Sequence, residues 1–127
     1  MNLLGIDYGT KNIGLAKASK EIDVVLPLGR IENKERNAVQ PELIKIITQQ
    51  KIDKIIVGLP IGLDGSENAN TKKVREFVAN LKKEFSVPVE FITEIFSSQA
   101  GDRMGGGVSR DEKAAMIILQ GYLDKNK

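Results

Sequence analysis

The sequence has no cysteine and no histidine among its 127 residues. Thiol nucleophiles, disulfides, Ser-His-Asp triads, haem ligation and ordinary zinc sites depend on these side chains and are therefore excluded. Tryptophan is also absent and only 5% of the residues are aromatic, so base stacking is expected to contribute little to any nucleic-acid binding. The remaining chemistry must use carboxylates, hydroxyls, lysine, arginine and the backbone.

The chain also lacks a strong charge bias and a long hydrophobic segment. The 19 Lys and Arg against 17 Asp and Glu permit nucleic-acid binding without requiring it. Apolar runs are only a few residues long, so we expect no membrane span, no signal peptide and a cytoplasmic location. The length of 127 residues predicts a single domain, residues 1–127, that can bury a core.

The apolar pattern predicts three strands followed by alternating helices and strands. The predicted strands lie at 1–7, 13–18, 24–31, 54–58 and 87–93, and the predicted helices lie at 41–50, at 74–85 and from 111 onward. Pro27 should place the third strand at a sheet edge or end it early, and Pro41 suits a first helical turn, although earlier turns from Lys34 remain open. This order predicts an α/β fold with a mixed sheet and helices on its faces.

Three acids stand at predicted strand ends and at a predicted helix start. Asp7 and Glu94 end the first and last strands, and Asp111 falls in the first turn of the last helix, on its apolar face. Ser109 and Glu112 fit a capping box that sets the phase of this helix. Each acid alone has a simpler explanation: an Asx-type turn for Asp7, a solvated strand end for Glu94, and a complement to the helix dipole for Asp111.

Taken together, the three acids indicate a site, provided that the sheet juxtaposes its first and last strands. Ligands of open α/β sheets bind outside the carboxyl ends of strands. Clustered carboxylates without histidine or cysteine suit Mg²⁺ or Mn²⁺, and they would repel one another without such an ion. The pattern therefore predicts a metal-dependent phosphodiesterase.

Two loop segments allow a structural or a functional interpretation. Gly58 to Pro60 reads as a tight turn out of a buried strand, or as a point where a substrate backbone approaches, and Gly65 permits a positive φ. Arg103 and Arg110 flank three consecutive glycines. This segment is either a flexible connection or a mobile basic loop that follows a phosphate backbone.

Several segments resemble the YqgF family, and the resemblance covers nearly the whole chain. They are residues 5–11 (Gly-Ile-Asp-Tyr-Gly-Thr-Lys), 13–16, 57–60 (Val-Gly-Leu-Pro), 64–67, 111–115 and 118–120. The resemblance implies a ribonuclease H-like fold with a mixed five-stranded sheet and helices on both faces. It implies Asp7, Glu94 and Asp111 as the catalytic acids that bind Mg²⁺ or Mn²⁺. We also expect substrate contacts from Thr10, Lys11, Arg103 and Arg110.

The YqgF family was first described as Holliday-junction resolvases, and its members are now commonly regarded as nucleases that trim the 5′ end of precursor 16S ribosomal RNA. The resemblance implies a hydrolase acting on ester bonds in ribosome biogenesis, a nucleic-acid partner, and a monomer or weak dimer. A Holliday junction resolvase acting on four-way DNA junctions is the first alternative. Residues 7–10 also look like the first phosphate loop of the actin and sugar-kinase superfamily, which leaves a nucleotide-handling protein as another.

The segment around Glu94 departs from the family pattern. Where the family reads Asp-Glu-Arg, a hydrophobic residue and two threonines, residues 93–98 read Thr-Glu-Ile-Phe-Ser-Ser. The Glu and two hydroxyls are kept, and the Asp and Arg are lost. A catalytically weak RNA-binding assembly domain is therefore a further alternative.

Overall fold

The computed structural model describes residues 1–9, 11–22, 24–33, 36–61, 64–95 and 109–125. For residues 36–38, 94 and 95 it describes the backbone only. Its elements are β1 (Asn2–Tyr8), β2 (Asn12–Ser19), β3 (Val24–Glu32), α1 (Arg36–Gln49), β4 (Lys54–Ile61), α2 (Ala69–Glu84), β5 (Val89–Ile95) and α3 (Arg110–Lys125). The predicted order of strands and helices is confirmed. No helix in these described ranges is long and apolar enough to cross a membrane.

The five strands form one mixed sheet in the order β3-β2-β1-β4-β5. The pairs β1–β2 and β2–β3 are antiparallel, whereas β1–β4 and β4–β5 are parallel. The carboxyl ends of β1, β4 and β5 consequently lie at the same edge of the sheet. β1 and β5 are not neighbours, as juxtaposition of the first and last strands would require, because β4 lies between them.

Helices cover both faces of the sheet, as the fold prediction requires. Side chains alternate along β1, so Leu3 contacts one core cluster and Leu4 and Ile6 contact the other. The Leu3 cluster lies under α3, and the second cluster includes the buried faces of α1 and α2. At the carboxyl end of β1, Asp7 therefore faces α3 and Tyr8 faces the α1–α2 layer.

Most predicted boundaries differ from the structure by up to three residues, and α1 and α2 each begin five residues before the predicted range. α1 begins at Arg36, so the alternative of helical turns before Pro41 is confirmed. Val39 is buried one turn before Leu43, and its burial offsets the backbone hydrogen bond that Pro41 cannot make. β3 continues through Pro27 as an edge strand, so the edge position is confirmed and the early end is wrong.

The tight turn predicted at residues 58–60 is wrong. β4 continues to Ile61, and Gly58 pairs with Ile92 inside the sheet. Leu59, Pro60 and Ile61 stay in the strand because each of them pairs with a residue of β5. The positive φ predicted for Gly65 is confirmed, at 82°.

Candidate active site

Asp7 is the next-to-last residue of β1, and it points to the α3 face because it alternates with Leu3 and Gly5. Its carboxylate is partly buried. Burial, and secondly the negative charge of Asp111, raise the pKa of Asp7 from 3.8 to about 6. None of the described residues donates a hydrogen bond to this carboxylate, so the Asx-type turn considered for it does not form among them.

A glycine beside Asp7 lets α3 approach the sheet. Asp7 pairs with Gly14 of β2, and a Cβ on Gly14 would overlap the carbonyl oxygen of Asp111. A Cβ on Gly5 would likewise lie 2.5 Å from Cγ of Leu119. These two missing side chains bring the first turn of α3 down onto β1 and β2. The approach sets Asp111 close enough to Asp7 for their charges to interact.

The predicted capping box at the start of α3 is confirmed. Ser109 Oγ accepts from the Glu112 amide at 3.2 Å, and Ser109 Oγ donates to Glu112 Oε1 at 2.8 Å. Glu112 Oε2 also accepts from the backbone N–H of Gly29 in β3 at 2.8 Å. Burial of Glu112 raises its pKa, but these hydrogen bonds and the charge of Arg30 outweigh burial and hold it below its usual value. Glu112 thus fixes the first turn of α3 against β3.

Asp111 lies beside Arg30 as well as Asp7. Its side chain is 28% exposed, and Oδ2 lies 3.6 Å from Nη1 of Arg30. Arg30 pairs with Gly14 across β2–β3, so Arg30, Gly14 and Asp7 form one row across three strands. Directly paired residues of antiparallel strands point to the same face, here the α3 face. Asp111 is therefore more than a complement to the helix dipole, because it faces a carboxylate and a guanidinium.

A cleft of about 340 Å³ opens at the carboxyl ends of β1 and β4. Its lining residues are Asp7, Tyr8, Gly9, Gly58, Pro60, Ile61, Asn70, Lys73, Val74 and Ala114. The α2 side is held by Thr71, whose hydroxyl donates to the Pro60 carbonyl, and by Tyr8, which stacks on Phe77 at 4.5 Å between ring centroids. These contacts place the exposed Lys73 beside the Asp7 cleft, and no described residue forms an ion pair with it.

The other predicted site residues are described to different extents. The backbone of Glu94 pairs with Pro60, at the same end of the sheet as Asp7. The side chain of Glu94 is not among those that the structure describes. Lys11 is exposed in the β1–β2 turn, and Arg110 is the exposed first residue of α3. Thr10 and Arg103 are outside the described ranges, as is the glycine-rich segment. In the parts that are described, no group of three acids forms a metal-binding cluster.

Sequence reasoning missed Arg30 and Lys73. Arg30 lies in an edge strand whose register cannot be read from local sequence, and pairing with β2 is what brings it to Asp111. Lys73 falls between apolar positions of an amphipathic helix, which is the pattern of a solvated face. The signal that could have identified Lys73 is its position in the first turns of α2, the helix that follows the carboxyl end of β4.

Comparison with known proteins identifies the family. The RuvX family model, described as Holliday junction resolvase, matches residues 1–125. The chain belongs to the RuvX family. RuvX is another name of the YqgF family that the sequence resembles, so the resemblance is confirmed. A RuvX relative from Maridesulfovibrio salexigens, named "Putative pre-16S rRNA nuclease", is 35% identical, with 97% of this chain and 98% of the relative covered. A protein of the same name from Koribacter versatilis is 33% identical, with 97% and 86% covered.

Solved structures agree with the fold expected of a RuvX protein. RuvC of T. thermophilus in complex with a Holliday junction substrate superimposes with a TM-score of 0.70, covering 99% of this chain and 95% of RuvC at 14% identity. The Fowlpox virus resolvase gives a TM-score of 0.58 at 12% identity, with 99% of both chains covered. The ribonuclease H-like fold is confirmed. As a RuvX protein the chain is a nuclease, a hydrolase acting on ester bonds of nucleic acid.

Proposed function

We propose that this RuvX nuclease uses a divalent ion, Mg²⁺ or Mn²⁺, to process the 5′ end of pre-16S rRNA in ribosome biogenesis, as one domain that is a monomer or weak dimer in the cytoplasm. One observation carries the proposal: the partly buried Asp7 carboxylate lies near Asp111 and receives no hydrogen bond from the described residues. The names of the relatives support pre-16S rRNA as the substrate.

The donor set fits a hard divalent ion. Asp7 and Asp111 supply carboxylate oxygens, and the sheet carries the backbone of Glu94 to the same edge. We assign the ion to Asp7, Glu94 and Asp111. A bound divalent ion activates water and stabilises the departing oxygen in phosphodiester hydrolysis.

The chain's own residues hold and orient the substrate. The capping box of Ser109 and Glu112 keeps Asp111 in place. Asp7 must lose its proton before it can bind a cation, and its pKa of about 6 sets the pH at which this occurs. Lys73 at the cleft and Lys11 in the neighbouring turn are placed to bind phosphates, which fixes the strand without reading its sequence. Thr10, Arg103 and Arg110 complete the proposed substrate contacts.

The test is cleavage of two substrates by the same preparation. Precursor 16S rRNA with its 5′ extension and a four-way DNA junction are each incubated with Mn²⁺, Mg²⁺, Zn²⁺ or chelator. We expect trimming of the RNA in Mn²⁺ or Mg²⁺ and none in Zn²⁺, since the ligands are all hard oxygens. Undiminished cleavage in excess chelator would refute the metal dependence, and cleavage of the junction alone would assign the chain as a resolvase.

The resolvase function is the second candidate, because the family description and the likeness to RuvC favour it. A catalytically weak RNA-binding assembly domain is the third, and it is favoured by Thr93 and Ile95, which replace the family Asp and Arg. Tight RNA binding without metal-dependent cleavage would select it over both nuclease functions.

A further inference from the structure

Arg30 is a cation at the candidate active site that the proposed function leaves without a role. Its Nη1 lies 3.6 Å from Oδ2 of Asp111, and its side chain is 54% exposed. The row Arg30–Gly14–Asp7 crosses three strands, so the α-carbons of Arg30 and Asp7 are about 10 Å apart at the usual strand spacing. The guanidinium therefore faces one proposed metal ligand and remains half open to solvent.

The ion pair between Arg30 and Asp111 is not needed to hold the fold at this point. β3 is already joined to α3 by the hydrogen bond from the Gly29 amide to Glu112 Oε2, at 2.8 Å. A single long contact between an exposed guanidinium and a partly exposed carboxylate contributes little to stability. The arginine is thus available for another partner.

A divalent ion at Asp111 would compete with Arg30 for the same carboxylate. Two cations repel each other, and the ion neutralises the charge that keeps the guanidinium in place. Glu112, the other carboxylate whose charge interacts with Arg30, already accepts hydrogen bonds from the Gly29 amide and the Ser109 hydroxyl. The planar fork of guanidinium N–H groups would therefore be open to a further anion, and it matches a phosphate. A nucleic-acid strand at the metal would present such phosphates next to the bond that is cut.

We propose that Arg30 binds a substrate phosphate, and that it exchanges Asp111 for this phosphate when a divalent ion binds Asp111. The inference rests on the metal site of the proposed function. It makes Arg30 a substrate-binding residue whose contribution depends on the metal, so the ion and the nucleic acid bind cooperatively through it.

The experiment measures binding of a short fluorescent single-stranded RNA, with Ca²⁺ as a probe ion or with chelator, at salt concentrations from about 50 to 200 mM. The proteins are the wild type, Arg30→Gln, Arg30→Lys and the control Arg75→Gln. Arg75 is a matched control because it is 47% exposed and pairs with a carboxylate, Glu67, at 2.8 Å. Circular dichroism and melting in chelator verify that each variant folds.

In Ca²⁺ we expect Arg30→Gln to bind RNA about 10-fold more weakly than the wild type, with a salt slope smaller by about 0.7, the value of one single-strand phosphate contact. Arg30→Lys should recover part of this loss, Arg75→Gln should match the wild type, and in chelator all four should bind nearly alike. Equal binding of wild type and Arg30→Gln in Ca²⁺ would overturn the proposal. An equal loss in Ca²⁺ and in chelator would also overturn it, because no exchange would then occur.

Failure of this inference is distinguishable from failure of the proposed function. If the wild type trims RNA with Mg²⁺ and Arg30→Gln behaves like it in every assay, only the role of Arg30 is wrong. If the wild type neither cleaves RNA with a metal nor binds it more tightly with Ca²⁺, the metal site itself is wrong, and the inference falls with it.

Discussion

Replacing Asp7 by asparagine should stabilise the metal-free protein at neutral pH while abolishing cleavage. The side chain keeps its size but loses the charge that burial and Asp111 disfavour. A pKa raised from 3.8 to about 6 corresponds to about 3 kcal/mol of unfolding free energy, which we take as an upper limit because the carboxylate is only partly buried.

The sign of the pH dependence follows from the direction of this shift. The folded protein binds the Asp7 proton more tightly than the unfolded chain, so the cost of the charge is absent below about pH 4. The cost grows as the pH rises and is complete above the folded pKa of about 6. The stability advantage of Asp7→Asn should therefore be largest near pH 8 and vanish near pH 4.

Urea unfolding of both proteins in chelator, at about pH 4, 6 and 8, measures this difference directly. The same titrations in Mn²⁺ should stabilise the wild type more than Asp7→Asn, because an ion that binds only the folded state adds RT ln(1 + [L]/Kd). A variant that is less stable than the wild type at pH 8, by the roughly 0.5 to 2 kcal/mol typical of a lost capping bond, and that still cleaves RNA, would refute the reasoning.

Other substitutions test how the site is built. Gly14→Ala should destabilise the fold by roughly 2 kcal/mol and reduce cleavage, since the new Cβ on β2 would overlap a carbonyl oxygen of α3. The control Gly121→Ala lies in α3, where the new Cβ meets open space, and in urea unfolding it should be neutral or stabilise by up to about 1 kcal/mol. Lys73→Ala should weaken RNA binding similarly for all sequences while leaving the melting temperature unchanged; a sequence-dependent loss would contradict a phosphate contact. Changing Arg103 and Arg110 together to Ala should reduce the salt dependence of RNA binding by up to about two phosphate contacts. If the double variant binds RNA as the wild type does between about 50 and 200 mM salt, the segment is only a flexible connection.

Local patterns predicted much of the fold. The spacing of Val74, Val78 and Leu81 predicts the buried face of α2, and all three side chains are buried in the structure. Ser109 and Glu112 predict the start of α3, because a capping box is read within four residues of sequence. The start of α1 was harder, since the burial of a side chain before the proline depends on the distant strands.

The site depends on contacts that local sequence does not contain. Asp7 and Asp111 were predicted from strand-end and helix-start positions, but their approach needs Gly14 to have no side chain under α3. Arg30 reaches Asp111 through pairing between β2 and β3, and a shift of one residue would move it to the other face. The Asn68 cap of α2, with threonine as its N3 partner, falls outside the usual Ser/Thr to Glu/Gln pattern.

Binding of Mn²⁺ to the wild type and to the single variants Asp7→Asn and Asp111→Asn tests the central claim most directly. The concentration of free Mn²⁺ is measured by electron paramagnetic resonance during the titration. The titration is made at about pH 8, where Asp7 is ionised in the folded protein. We expect the wild type to bind Mn²⁺ and each variant to bind it at least about 10-fold more weakly, since each loses a charged oxygen ligand. Equal Mn²⁺ affinity in all three proteins would contradict the assignment of these two carboxylates to the metal.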